Sequence, residues 1–511
     1  MRLNLHAAVR LATLAAVVLA GAAQADERRL ADGTQLSVAV DKDANRLVLQ
    51  WQPAAGTVRE QAIAVRGQLL DGACLFQRNG LAGFYTFNDR GYLAQWLLPA
   101  LDAQPQLVRQ VPGFVDILDC HVDDNAGQLY VLEGGVGVSR LASGEGSMEA
   151  ELLALYPPHG KLDPEAETFS VAGSELRVGE RTVAALATAH DSLPAVPAAG
   201  QTAPVPTTGD AADDPAIWVD PQTGTVRILG TDKRFGLRVY DLEGSELQAI
   251  ATGRLNNVDL RPLSGGGDVV ALAAASNRSL RSISLFSIDA SGNLGWLRDS
   301  DIATGLDDPY GLCMYDDGKH LQVFVNDKDG RLQQWRLRPG DGGYSGELLR
   351  ELQLPDQPEG CVADDQQHLL FFGIEDMGVY TLPTDVLDAE PQRLAAVDDE
   401  TLHADVEGMA LYPVGAAGFL VVSSQGNHSY AVFERQPPHR YRGSFQVTDN
   451  LGAQVDGASE TDGLDITAAA LGERFPEGLL VVQDGYNVLP DGNQNFKLVD
   501  WRAVREALDL P

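Results

Sequence analysis

Similar strand-forming segments recur through the C-terminal part of this chain. They begin near Asp214, Asp259, Tyr310, Glu359, Glu407 and Gly463, some 45 to 56 residues apart. A period of that length suits one four-stranded blade per repeat, and six starts predict a six-bladed β-propeller. Within a repeat the strands are short and reverse sharply. Leu321–Val325 runs through Asn326–Gly330 into Leu332–Leu337, a hairpin whose turn ends in glycine. Asp241–Gly244 and Asp316–Gly318 read as plain turns. The expected fold class is therefore all-β.

The first half carries a shortened copy of the same pattern. Gly72-Ala-Cys74-Leu-Phe76 aligns with Gly311-Leu-Cys313-Met-Tyr315, Gly91–Trp96 with Gly330–Trp335, and Asp119–Asp124 with Gly360–Asp365, while Glu133 falls opposite Glu375. Packing residues persist in this copy and charged ones drift. Asp71 stands opposite Tyr310, Asp89 opposite Lys328, and Leu118 opposite Glu359. Residues 26–190 are accordingly expected to form a degenerate, incomplete propeller-like domain. Residues 191–197, rich in proline and alanine, would be a linker, and 198–511 the six-bladed propeller. The alignment pairs Cys74 with Cys120 and Cys313 with Cys361, each pair on inner strands of adjacent blades. Two disulfides are expected in an oxidising compartment, with four buried thiols as the alternative.

Residues 1–25 have the pattern of a secretory signal peptide: Arg2 and Arg10 precede the apolar stretch Leu11–Ala22, and Ala23-Gln24-Ala25 supplies a cleavage site. The apolar run is too short to span a bilayer. A mature chain starting near Asp26 would be secreted or periplasmic. With 38 basic against 72 acidic residues the net charge is −34, which argues against nucleic acid or an anionic membrane as a partner. A chain this acidic can approach a polyanion only where bound cations reverse the local field.

The run Asp210-Ala-Ala-Asp213-Asp214-Pro215-Ala-Ile-Trp218 is followed by Asn256-Asn257-Val258-Asp259. Adjacent carboxylates repel each other, and a hard cation with oxygen ligands, calcium above all, removes that cost. Together the two runs resemble the signature of the β-propeller phytases. The resemblance covers about residues 200–511, closing with Phe475-Pro-Glu-Gly478, Gln483-Asp484-Gly485 and Asn493–Lys497. It implies a six-bladed propeller closed by its own N-terminal segment, with residues 26–190 similar to the incomplete N-terminal domain of the family's dual-domain members. It further implies a 3-phytase, a monomer that uses several Ca2+ ions to hydrolyse phosphomonoester bonds of myo-inositol hexakisphosphate (phytate), taken as its calcium complex. Attack would come from metal-activated water, without a phosphoenzyme.

Carried over position by position, the resemblance implies Asp213, Asp214, Tyr310, Glu359, Glu375, Asp405, Glu407, Gln425 and Asp456 as metal ligands. Of these, Asp213, Asp214, Tyr310, Glu359, Asp405 and Glu407 would form the catalytic centre. Lys233, Arg234, Arg278 and Lys328 would bind substrate phosphates. A donor set made only of oxygen favours calcium over zinc or copper. Taken singly, Glu-Gly and Asp-Gly pairs mark turns; recurrence at one place in successive repeats is what points to a shared site. Other phosphatase chemistries lack their residues: the chain has no Arg-His-Gly run, no Cys-x5-Arg loop, no Gly-x-Ser-x-Gly elbow, no P-loop and no His-Glu-x-x-His. The alternative is a non-enzymatic propeller that binds a polyanion or protein through a calcium-lined mouth.

Overall fold

The computed structural model describes residues 25–65, 67–78, 81–144, 150–172, 175–178, 181–185, 193–263, 267–341, 343–398 and 400–511. The expected signal peptide, Ala25 excepted, lies outside them. The described residues divide into two compact units, one within 1–124, 129–140 and 152–185, the other within 125–128, 141–151 and 186–511.

In the second unit six antiparallel sheets follow one another, with inner strands Ala212–Val219, Leu255–Pro262, Pro309–Asp316, Pro358–Asp364, Val406–Val414 and Leu464–Thr467. We number these blades 1 to 6. Each inner strand packs on the next, and that of blade 6 packs on that of blade 1, so the circle is shut. Blades 1 to 5 run outward through three further strands in chain order, as successive hairpins require. Blade 6 has only three strands from its own segment. Its outermost strand is Gly200–Gln201, antiparallel to Asn495–Asp500, so the start of the unit closes the ring. Ala195–Pro197, within the stretch expected to be a linker, adds a fifth strand parallel to Tyr441–Thr448 on blade 5. Proline is tolerated there because the position is an edge.

A blade is covered on both faces, so successive residues of one strand must both be apolar. In blade 1, Ile228 packs toward blade 6 with Phe496 and Leu498. Its neighbour Leu229 packs toward blade 2 with Ala273 and Phe286. The second unit has one buried apolar cluster at each of its six blade–blade interfaces. Trp501 and Val504 of the terminal helix Trp501–Ala507 join the cluster between blades 5 and 6.

Both expected disulfides are present. Cys313–Cys361 joins the inner strands of blades 3 and 4 with Cα atoms 5.7 Å apart, and Cys74–Cys120 has a Cα separation of 5.9 Å. Closing loops of this length stabilises a fold by about 2–4 kcal/mol per bond.

Inner strands approach one another closely because glycine sits at their closest points. A Cβ on Gly311 would lie 1.8 Å from the Glu359 carbonyl oxygen, and one on Gly463 would lie 2.5 Å from the Asp214 Cα and 2.9 Å from the Asp213 carbonyl oxygen. These neighbours are backbone and cannot rotate away. Gly463→Ala is expected to lower stability by about 1–3 kcal/mol, the usual cost of overpacking, read as a lower denaturant midpoint at unchanged slope.

The first unit begins with three antiparallel four-stranded sheets. Asp26–Arg29 starts the first, Gly72–Arg78 the second, and Ile117–Asp123 lies at one edge of the third. A three-stranded sheet, Phe169–Ala172 to Arg181–Ala185, follows. Leu36, Val38, Leu49, Leu75 and Phe84 form a buried cluster between the first two sheets. Gly72–Arg78 pairs with Leu81–Phe87 in unbroken register.

Candidate active site

The inner strands of blades 1 to 5 share an irregularity that Gly72–Arg78 lacks. Each register jumps by one residue: between Ala212 and Pro215, Leu255 and Val258, Pro309 and Leu312, Pro358 and Cys361, and Val406 and Met409. Such a bulge re-aims a side chain. The residues re-aimed are Asp213, Asn256, Tyr310, Glu359 and Glu407, and in blade 6 Asp462 stands at the matching place before Gly463. Pro215 falls inside the first strand rather than at its start, tolerated at a bulge on the strand edge facing the channel.

A second set comes from the end of the second strand in each blade. The next residue is Lys233, Arg278, Lys328, Glu375, Gln425 and Gly485 in blades 1 to 6. The mouth is thus built from two concentric rings, one from bulges and one from hairpin ends. Blades 1 to 3 give the outer ring its cations. Lys233, Tyr310, Lys328, Glu375, Asp405, Glu407, Gln425 and Asp462 line a cavity of about 670 Å³, together with Tyr486–Val488 and Asp491–Gln494.

Within the mouth, carboxylate oxygens of Glu359, Glu375 and Glu407 all lie within 4.8 Å of one another. Glu359 and Glu407 are buried, 2% and 4% exposed. Glu359 Oε1 accepts from Asn256 Nδ2 (3.2 Å), and Gln357 donates to Glu375. Lys233 Nζ reaches Asp462 (2.7 Å), Asp210 (2.8 Å) and Asp213 (3.2 Å). Gln425 Nε2 donates to Asp462 Oδ1 at 2.8 Å. Among the described residues, Asp213 Oδ1 and Glu407 Oε2 have no hydrogen-bond partner, and Asp213 Oδ2 has only the ion pair with Lys233, although both groups are buried. Buried polar atoms are seldom left so, and an orphaned carboxylate oxygen facing its like is where a cation fits.

The electrostatics agree. Burial, then the charge of Glu359, pushes Glu375 up to about 7. Burial and Glu359 likewise hold Glu407 well above the carboxylate range. Asp462 is pushed up to about 6 by burial, against the pull of Lys233. Asp213 is raised well above its usual value by burial, with Lys233 opposing and Asp462 and Glu359 adding. Asp405, half-buried at the rim, is raised by burial and then by Asp376. Burial alone would lower the Lys233 ammonium, but Asp213 and Asp462 raise it above an ordinary lysine.

Not every residue expected at the site reaches it. Asp214 points down the central channel, where its Oδ2 accepts from the Val258 N–H of blade 2 (3.0 Å); it lines a narrow space of about 30 Å³ with Asp259 and Asp465. Adjacent residues on a strand face opposite ways, so only one of the paired aspartates can join the ring. Arg234 is exposed and donates to the Thr208 carbonyl at 3.0 Å. Asp456 is buried against Lys497 and accepts from the backbone N–H groups of Val488 and Leu489, so it anchors the loop that walls the cavity. Asp462 and Asn256, in contrast, are brought to the ring without having been expected there. The signal for Asp462 was available: Asp462-Gly463 repeats Tyr310-Gly311, Glu359-Gly360 and Glu407-Gly408.

Comparison with known proteins adds a family. A 3-phytase of Bacillus subtilis (strain 168) is 40% identical over 331 residues, covering 60% of this chain and 84% of the relative. Among solved structures, Saccharomyces cerevisiae Sqt1 shares 12% identity at a TM-score of 0.33, covering 84% of this chain and 95% of its own. A functionally unknown protein from Desulfotomaculum acetoxidans shares 11% at 0.30, covering 80% and 94%. Likenesses that loose carry no argument, and the fold rests on the sheet topology. The sequence model of the phytase family, however, matches residues 168–510, the whole propeller with its two rings. The chain belongs to the phytase family, enzymes that hydrolyse phosphomonoester bonds of phytate.

Proposed function

We propose that this chain is a calcium-dependent 3-phytase whose reaction takes place in the two-ring mouth. The observation that carries the reading is the charge division of that mouth. Glu359, Glu375 and Glu407 converge within 4.8 Å on one side, and Arg278 and Lys328 stand at the equivalent outer positions of blades 2 and 3. Asp213, Glu359, Glu375, Asp405, Glu407, Gln425 and Asp462 would hold calcium. Oxygen donors alone, several of them anionic, match that ion. Bound calcium would supply positive charge to acidify a water and offset phosphate charge. The protein's own part is orientation. Arg278 can grip phosphate oxygens in a fork, and Lys328 adds a point charge in the cavity that Tyr486–Val488 also lines. Phosphates flanking the reacting one would be held by the same cations, which favours a substrate with adjacent phosphates.

Asp214 enters this account as a positioning residue, because its carboxylate fixes the backbone between the first two bulges. We read residues 26–190 as an incomplete, propeller-like partner domain without the metal ring, since Gly72–Arg78 has no bulge to aim a side chain. We place the protein outside the cytoplasm, as a secreted or periplasmic monomer. Two disulfides suit an oxidising compartment, and no helix among the described residues is long and apolar enough to cross a membrane.

The test is phosphate release from phytate with calcium, then with excess chelator, then with calcium restored. Activity should follow the metal through all three stages. Equal release in chelator would refute the calcium assignment.

A further inference from the structure

Of the five bulge positions and the matching place in blade 6, four carry acids and two do not: Asn256 and Tyr310, in adjacent blades. That neutral sector lies beside two of the three outer-ring cations. Lys328 Nζ sits 3.8 Å from the Tyr310 ring centroid, and the Arg278 guanidinium carbon is 5.5 Å from it. Tyr310 as a whole is 9% exposed, on the inner strand of blade 3. Arg278 has other supports: Nε donates to Asp308 at 2.7 Å and Nη1 to Asn256 Oδ1 at 3.2 Å. Lys328 has none of that kind. Among the described residues no carboxylate lies within 4.0 Å of its ammonium, whereas Lys233 is claimed by Asp210, Asp213 and Asp462.

The contrast has a chemical meaning. A carboxylate that fixed Lys328 would compete with phosphate for the same three donors. An aromatic face attracts the ammonium through its quadrupole and takes up none of its hydrogen bonds. In a cavity crowded with acids, such a platform keeps a cation both ordered and available.

We propose that Tyr310 is a positioning residue whose ring face holds Lys328, and secondarily Arg278, ready for substrate phosphate, a role separate from that of its hydroxyl. The proposal rests on the reading that these two cations bind phosphate. It deepens that reading by assigning the aromatic platform under them.

The test reads binding, with myo-inositol hexasulfate as a probe that the enzyme does not turn over, by calorimetry in saturating calcium. Tyr310→Phe keeps the ring and should bind within about two-fold of the parent. Tyr310→Leu should bind roughly ten-fold more weakly or worse, the scale of a desolvated cation–ring contact. Lys328→Met should weaken the parent by a similar factor and add little to Tyr310→Leu. Should the leucine variant fail to fold, phenylalanines carrying one, two and three ring fluorines at position 310 change the quadrupole at nearly constant size; affinity should then fall stepwise. A phenylalanine variant as weak as the leucine variant, or a flat fluorine series, overturns the platform alone. Failure of the parent itself to bind the hexasulfate overturns the phosphate-gripping reading and the platform with it.

Discussion

Glu407→Gln is expected to lower phosphate release from phytate by roughly 10²–10³-fold, the scale on which one lost electrostatic contact to a reacting centre is felt. The same substitution should raise the melting temperature of the calcium-free protein. Glutamine keeps the volume but removes a buried charge that stands within 4.8 Å of Glu359 and Glu375, with its Oε2 unpartnered. Above the ordinary carboxylate range the unfolded chain ionises Glu407 freely, while the folded, metal-free chain resists doing so because of burial and Glu359. That resistance is a cost to folding which the variant escapes. Adding calcium should reverse the order, because the parent then gains the larger stabilisation. Melting curves for both proteins in chelator and in calcium, beside one activity assay, decide the matter. A variant as active as its parent would remove Glu407 from the metal site.

The second large effect expected is a coupling between calcium and pH. Glu375 is pushed to about 7 and Asp462 to about 6, and Asp213 and Glu407 are also displaced upward. For a carboxyl raised in the folded state, the folded chain binds more protons than the unfolded one. Its contribution is fully present below the unfolded value near 4 and is lost as pH climbs through the folded value. In chelator, melting temperature should therefore fall between about pH 4 and pH 7. Calcium takes the place of those protons, so its stabilisation should be small at pH 5 and large at pH 8. At a hundredfold excess over the dissociation constant it amounts to about 2.7 kcal/mol per site. Binding near pH 6 should also release protons, seen as a dependence of calorimetric heat on buffer ionisation. A calcium-induced shift equal at pH 5 and pH 8 would contradict this account.

The repeat was legible because blades bury both faces. Val269–Asn277 reads as a nearly continuous apolar strand, and the near-constant spacing of the segments that begin near Asp214, Asp259, Tyr310, Glu359, Glu407 and Gly463 marks the circle. Recurrence also exposed Glu359 and Glu407, each just before the glycine of its inner strand, whereas Glu375 came from the family resemblance. Orientation was harder to read. One extra residue in a strand swaps which side chain faces the mouth, and nothing in Asp213-Asp214 says where that residue falls. Tertiary pairing decided it, sending Asp213 to the ring and Asp214 down the channel. Asp456 misled for a related reason. Its Asp-Gly step looks like the ring's, yet Lys497, from the third strand of the same blade, claims it.

The closing strand Gly200–Gln201 pairs with Asn495–Asp500, near the opposite end of the unit. The ring therefore stays open until Asn495–Asp500 has been made, however complete blades 1 to 5 already are. Lys233 and Gln425 meet on Asp462 only when that gap is bridged. The Glu359, Glu375 and Glu407 cluster belongs to blades 4 and 5 and does not wait for that bridge, so what closure adds is the junction of the Lys233 sector with the acids.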